Sequence, residues 1–386
     1  MVAKREMDNT KDAFAVGILF SQGGSMGLTE ISHLKGTLVA IDEINNSGGI
    51  NGHMIEAAVE ESPSDHSWYR RSALKLLAQD RISVLFGCCS STSRKTVLPL
   101  VERFGAVLFY PSFYEGFEYS PNIIYTGAIP NQTVIPLASY LFKNHGKRFF
   151  LIGSEYVYPR EINRIVGEFL SESGGTIADE IYIPLDSDLK SYMTIAKLIK
   201  ASDADVVLST VVGSDTPKFY EACWKSGINP EILPIASLTT SENELAELPS
   251  EARIGHVTGA SYFSSINTNE STKFKELFAA RYGNEEKTNI YSETAYFQVH
   301  LFAKAARITE DISAEALLKV LSGMEFVSPQ GYIKIDSENN HLYLTPRIGV
   351  SQEDGSFKIV WESESLVKPD PYLVSYGRTI SASVNE

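Results

Sequence analysis

Short apolar runs rich in β-branched and aromatic residues alternate along this chain with helix-length amphipathic stretches, and the alternation breaks once before it restarts. Such a rhythm builds parallel sheets covered by helices, and a restart builds them twice. The first round places strands at 14–20, 54–60, 82–87 and 107–109, helices at 29–46 and 67–79, and a further helix from Ser93. Between 110 and 130 no period is visible. Pro111, Gly116, Pro121, Gly127 and Pro130 interrupt it, which marks a crossing segment rather than a packed element. The second round places strands at 149–153, 177–184, 206–210 and 233–236, with helices at 136–143, 160–173, 189–201 and 216–226. Helical patterning returns at 271–281, 292–307 and 314–322, and a C-terminal antiparallel meander follows, with strands at 332–335, 341–350 and 357–362. The fold class is therefore α/β, two doubly wound parallel-sheet lobes. One is expected to span 14–126 plus 263–328 and the other 127–262 plus 330–386. A chain of 386 residues gives each lobe enough length to bury its own core.

Charge and cysteine usage narrow the partners. Lys+Arg of 34 against Asp+Glu of 48 leaves a net charge of -14, which repels phosphate backbones and anionic lipid surfaces. Direct contact with nucleic acid or membrane is not expected. Adjacent Cys88 and Cys89 diverge on an extended backbone, and with only Cys223 besides, a disulfide-free fold in a reducing compartment is the better reading. The charged N-terminus and the short apolar run at 15–20 resemble neither a signal h-region nor a membrane span. The chain reads as cytoplasmic, or as periplasmic if a signal peptide has been removed. Self-association is left open.

Catalytic and metal signatures are missing from the sequence. No two of the seven histidines lie three or four apart with a carboxylate between them, and neither a GxSxG elbow nor a GxxxxGK[ST] loop occurs. The SQGGSMG loop lacks the lysine and glycine order of a phosphate cradle, so it reads as a turn. No cofactor and no enzymatic activity are expected. What stands out is a set of hydroxyl and phenol clusters where apolar runs end. Cys89 to Ser93 follows LFG, Tyr110 to Tyr114 follows AVLF, Ser154 to Tyr158 follows FFLIG, and Ser237 to Ser241 follows LPIA. In open parallel sheets the ligand crevice lies beyond the carboxyl ends of the strands. Ser93, Thr240 and Ser241 stand just before helical sequence and read as helix caps. The remainder is neutral donors and acceptors, which suits a small uncharged polar ligand.

The motifs GCCSSTSRKTVLPLVE, FYPSFYEGFEYSPN, IGSEYVYPREIN, STVVG, SLTTSE, YFSSI, NNH and PDPY resemble those of AmiC-type amide sensors, which regulate aliphatic amidase operons, and more distantly urea and short-chain amide binding proteins of ABC transporters. The resemblance runs through most of the chain. It implies a type I periplasmic-binding-protein fold, two α/β lobes joined by three crossovers with ligand between them. Carried over position by position, it implies an amide pocket of Ser91, Tyr110, Ser112, Tyr156, Tyr158 and Thr239. Two positions depart from the pattern: Cys89 stands where an aromatic is usual, and Phe113 where a smaller or polar residue is. Phe113 is expected to lean into the space Cys89 leaves. The resemblance further implies an AmiR-like antiterminator protein as partner for a sensor, or a permease for a transporter component.

Overall fold

Residue runs such as Val84–Gly87 and Val107–Tyr110 are apolar at every position and buried on both faces, as strands of a parallel sheet between two helical layers must be. The computed structural model describes residues 13–60 and 66–374. The charged N-terminus and the last 12 residues of the expected second lobe, 375–386, lie outside the described residues. Five strands, β1 (Ala13–Leu19), β2 (Met54–Val59), β3 (Val84–Gly87), β4 (Val107–Tyr110) and β5 (Ile123–Tyr125), form one parallel sheet in the order β2-β1-β3-β4-β5. Alternate side chains leave its two faces. Val84, Phe86, Val107 and Phe109 join Phe297, Leu301 and Phe302 in one core, whereas Leu85 and Leu108 join Leu76, Leu77, Val97 and Val101 in another.

A second sheet repeats the plan with β6 (Arg148–Ser154), β7 (Thr176–Ile183), β8 (Val206–Thr210), β9 (Ile235–Ser237) and β10 (Val257–Ala260), all parallel to their neighbours. Phe149, Leu151, Val206 and Leu208 face the helix Val157–Ser173, and Phe150, Ile152 and Val207 face the helices Leu189–Ala201 and Asp215–Lys225. The chain then returns to the first lobe through helices Asn269–Tyr282, Ile290–Thr309 and Ala314–Leu321, whose apolar residues fill its core. Helix Gly27–Asn46 packs so closely on Ile290–Thr309 that a Cβ at Gly36 would lie 1.9 Å from the Ser292 carbonyl oxygen.

Three departures from the sequence reading matter. The segment expected to hold no packed element contains β5, three residues whose strand is too short to show a period. The C-terminal strands do not form one meander. β11 (Glu325–Ser328), β12 (Gly331–Ile335) and β13 (Leu342–Tyr343) make a three-stranded antiparallel sheet, while β14 (Arg347–Ser351) and β15 (Phe357–Glu362) extend the second sheet antiparallel to β10. The expected strand 341–350 is thus two strands on different sheets, parted at Pro346, which has no N–H to give to a ladder. Ile333, Ile335, Leu342 and Leu344 accordingly pack into the first lobe's core, so by packing the stretch 330–344 goes with that lobe and not with the second, as the sequence assigned it.

Candidate functional site

The carboxyl ends of both parallel sheets face one another. At the end of β3 the chain turns through Cys88, held at φ 66° with its N–H donating to the Leu19 carbonyl, 2.9 Å. That turn carries Cys89 to the cleft and starts the helix Ser91–Phe104. The cap of this helix is Ser90, whose hydroxyl accepts from the Ser93 N–H at 3.1 Å, and not Ser93 as the sequence suggested. Ser241 does cap its helix, completing a reciprocal box with Glu244. Ser112 and Phe113 follow β4. From the second lobe, Tyr156 opens the helix after β6, Tyr158 lies in its first turn, Val212 and Gly213 follow β8, and Thr239 follows β9.

These residues line a cavity between the lobes. Cys89, Ser91, Ser112, Phe113, Tyr156, Tyr158 and Thr239 all stand on its wall. Tyr110 does not. It is fully buried one layer behind, where its hydroxyl donates to the Cys89 carbonyl at 2.8 Å and its ring lies under the Arg94 guanidinium, 4.8 Å away. The sequence reading missed Met26, Thr29, Val212, Gly213 and Tyr291, which also line the cavity. Met26 stands at the helix cap that ends the SQGGSMG turn and Val212 and Gly213 follow β8, while Thr29 and Tyr291 come from helices whose pattern looks like ordinary core. Phe113 packs its ring against Tyr158 (5.7 Å between centroids) and Tyr291 (5.6 Å), spanning the two lobes beside Cys89.

The wall carries no charged side chain. Ser112 pairs its hydroxyl with His33 Nε2 at 3.4 Å, and five other hydroxyl groups of the wall fall into two kinds. The Ser91 hydroxyl donates to a carboxylate oxygen of buried Glu115, Thr239 donates to the Val211 carbonyl at 2.6 Å, and Tyr291 donates to the Thr239 carbonyl at 2.8 Å. Each has spent its only proton on an acceptor and turns lone pairs to any further partner. By contrast, the hydroxyls of Tyr156 and Tyr158 have no hydrogen-bond partner among the described residues and remain available as donors. Burial pushes the Cys89 thiol well above its ordinary value, so it stays protonated and a poor nucleophile. Behind the wall His33 lies stacked on Phe20 and edge-on to Tyr291, and burial holds its pKa down at about 3, leaving the ring neutral. Among the described residues, no group of three or more His, Cys, Asp or Glu is placed to hold a metal ion.

A second cavity adjoins the first and shares Met26, Ser90 and Tyr156 with it. Glu30 sits on its wall. Burial raises that carboxyl to about 8, partly opposed by the Tyr69 hydroxyl and the Ser21 N–H, each 2.5 Å away.

A family model described as periplasmic binding protein domain matches residues 14–378. Leu/Ile/Val-binding protein homolog 6 of Brucella melitensis biotype 1 is 23% identical over 338 residues, which cover 86% of this chain and 85% of that protein. Among solved structures, the solute-binding protein of an ABC transporter from Rhodopseudomonas palustris HaA2, in complex with p-hydroxybenzoic acid, superposes with a TM-score of 0.82 at 20% identity, covering 95% of this chain and all of that one (100%). The branched-chain amino acid transporter substrate binding protein LivJ from Streptococcus pneumoniae, in complex with isoleucine, gives 0.78 at 19% identity, covering 92% and 100%. At these identities the structural likeness is one of fold.

Proposed function

This chain belongs to the periplasmic binding protein family, and from that premise we propose that it binds a small uncharged amide or urea-like molecule between its lobes, as the solute-binding component of an ABC importer. The polarity of the cavity wall carries the ligand class. With no charged side chain on it, a carboxylate or ammonium would give up its hydration there without a counter-ion. The two solved structures described above hold p-hydroxybenzoic acid and isoleucine, each with a carboxyl group; the uncharged wall here favours a neutral solute. An amide asks for acceptors at its N–H groups and donors at its carbonyl. Ser91, Thr239 and Tyr291 supply the first, Tyr156 and Tyr158 the second, and the ring of Phe113 covers the alkyl end. For a ligand of four heavy atoms, a ceiling of about -1.5 kcal/mol per atom caps binding near -6 kcal/mol, a Kd of about 40 μM.

Calorimetric titration with acetamide, urea, sodium acetate and leucine tests the ligand class. Micromolar binding of an amide or urea without acetate supports it, and a preference for acetate or for leucine overturns it. Ser91→Ala and Thr239→Ala should each weaken acetamide binding by about 1–3 kcal/mol, since each leaves a ligand N–H unpaired in a dry site.

A second reading keeps the ligand and changes what responds to it. Val212 and Gly213 of the STVVG segment and Thr239 of SLTTSE, segments most like the amide sensors, all wall the cavity. That supports a sensor whose amide-bound state releases an AmiR-like antiterminator. Uptake of labelled amide by cells with and without the protein, set against amide-dependent antitermination, separates the two.

A further inference from the structure

We infer that Glu115, which does not touch the cavity, sets the site's preference for hydrogen-bond donors by holding the Ser91 proton; this rests on the amide reading above and names a positioning residue for it. Glu115 is 3% exposed and its two oxygens face different ways. Oε2 accepts from the Ser91 hydroxyl. Oε1 faces the cations Arg94 and Lys95, each 3.5 Å away. Arg94 is itself fixed, fully buried over the ring of Tyr114 and bonded to Glu118 at 2.7 Å.

A carboxylate has no proton to return, so Ser91 cannot reverse its hydrogen bond and donate into the cavity. The opposite wall has the same polarity by a different route. Thr239 gives its proton to a backbone carbonyl, which no titration or rotation can turn into a donor. A ligand reaching from Ser91 to Thr239 therefore meets acceptors at both ends. An NH2 group satisfies them, whereas an oxygen or a methyl group placed there leaves them unpaired or repelled.

Glu115→Gln changes this polarity with almost no change of shape. The glutamine carbonyl takes the side facing Arg94 and Lys95, so its NH2 faces Ser91 and donates to it. The Ser91 proton is then released toward the cavity.

Three probes of equal heavy-atom count read the result: acetamide, which donates; acetone, which neither donates nor carries charge; and acetate. Wild type is expected to prefer acetamide over acetone by about tenfold or more, the worth of one hydrogen bond in a dry site. In Glu115→Gln that ratio should fall by about tenfold, and acetone separates this effect from the electrostatic gain of acetate that losing a negative charge brings. Ser91→Ala should lower the same ratio, and adding Glu115→Gln to it should change nothing further, because the carboxylate acts through that hydroxyl. An unchanged ratio in folded Glu115→Gln, or an equal effect of that change with and without Ser91, overturns the inference and leaves the amide reading standing. Should Glu115→Gln not fold, the decision falls to wild type and Ser91→Ala: equal acetone and acetamide binding in wild type, or an unaltered ratio in Ser91→Ala, is equally fatal. Wild type that binds no amide or urea strikes the amide reading itself, and this inference with it.

Discussion

Phe113 and Cys89 decide between them how much room the ligand has. Cys89 is small, and the Phe113 ring, packed against Tyr158 and Tyr291, lines the same cavity. Truncation at Phe113 should therefore lengthen the site rather than collapse it, since neither a thiol nor the rigid neighbouring rings can move in to refill the hole. We expect Phe113→Ala to gain butyramide relative to acetamide by about tenfold, two methylenes at about 0.8 kcal/mol each being the available gain. A titration series over chain length that keeps the wild-type order rejects this. Much of the wall was legible in the sequence because it follows directly on strand ends: Ser91, Ser112, Tyr156 and Thr239 announce themselves as hydroxyls immediately after apolar runs. Tyr110 was misplaced by the same logic. It is the last residue of β4, and its side chain joins Leu108 on the sheet face that packs against Arg94 and its helix, whereas Ser112 and Phe113 lie beyond the strand end where the cleft opens. Nothing local marks Tyr291, which stands in the first turn of a helix whose Ala295, Tyr296, Phe297 and Val299 are buried as it is.

Elements with several turns or several buried residues were readable, and short ones were not. Leu189–Ala201 and Val206–Thr210 stand where the periodicity places them. β5 is three residues and β13 two, too short for either to show an alternation that a local pattern could record. The turn from β3 into the helix Ser91–Phe104 is the element junction on which the site depends most. Cys88 accepts a left-handed backbone there, and Ser90 closes the helix end by its hydroxyl. Ser90→Ala should cost about 1 kcal/mol of stability in urea unfolding, as loss of a serine cap does elsewhere. It should also loosen the first helical turn, which carries Ser91. Unfolding indistinguishable from wild type would mean that the turn is held by its Cys88 N–H bond to Leu19 alone.

The two lobes meet directly. Ser25, on the loop after β1, donates its hydroxyl to Asp186 of the second lobe at 2.7 Å and accepts at its carbonyl from the Ser214 N–H at 2.9 Å, while Asn243 donates to Ser32 at 2.5 Å. These bonds matter energetically because the ligand is small. Moving a two-state equilibrium from 1:99 to 99:1 takes about 5.5 kcal/mol of differential affinity, nearly all that about four heavy atoms can supply. A protein that closes on such a ligand must rest near balance, with part of the closing free energy coming from the lobes themselves. Gly213 is where that balance can be tested. A Cβ there would lie 1.9 Å from the Ser25 carbonyl oxygen, so a methyl group and this close approach of the lobes exclude each other. Its φ of 58° adds about 1 kcal/mol of local strain for any residue with a Cβ, but that cost is the same whether the lobes are apart or together. Gly213→Ala should therefore lower the unliganded melting temperature by only a few degrees, as about 1 kcal/mol does in a chain of this size. It should weaken acetamide binding at least tenfold and abolish the ligand-induced contraction seen by small-angle scattering. A variant that melts much earlier and still contracts on ligand would assign the defect to backbone strain. One that melts, binds and contracts like wild type would show that the Ser25–Gly213 contact takes no part in closure.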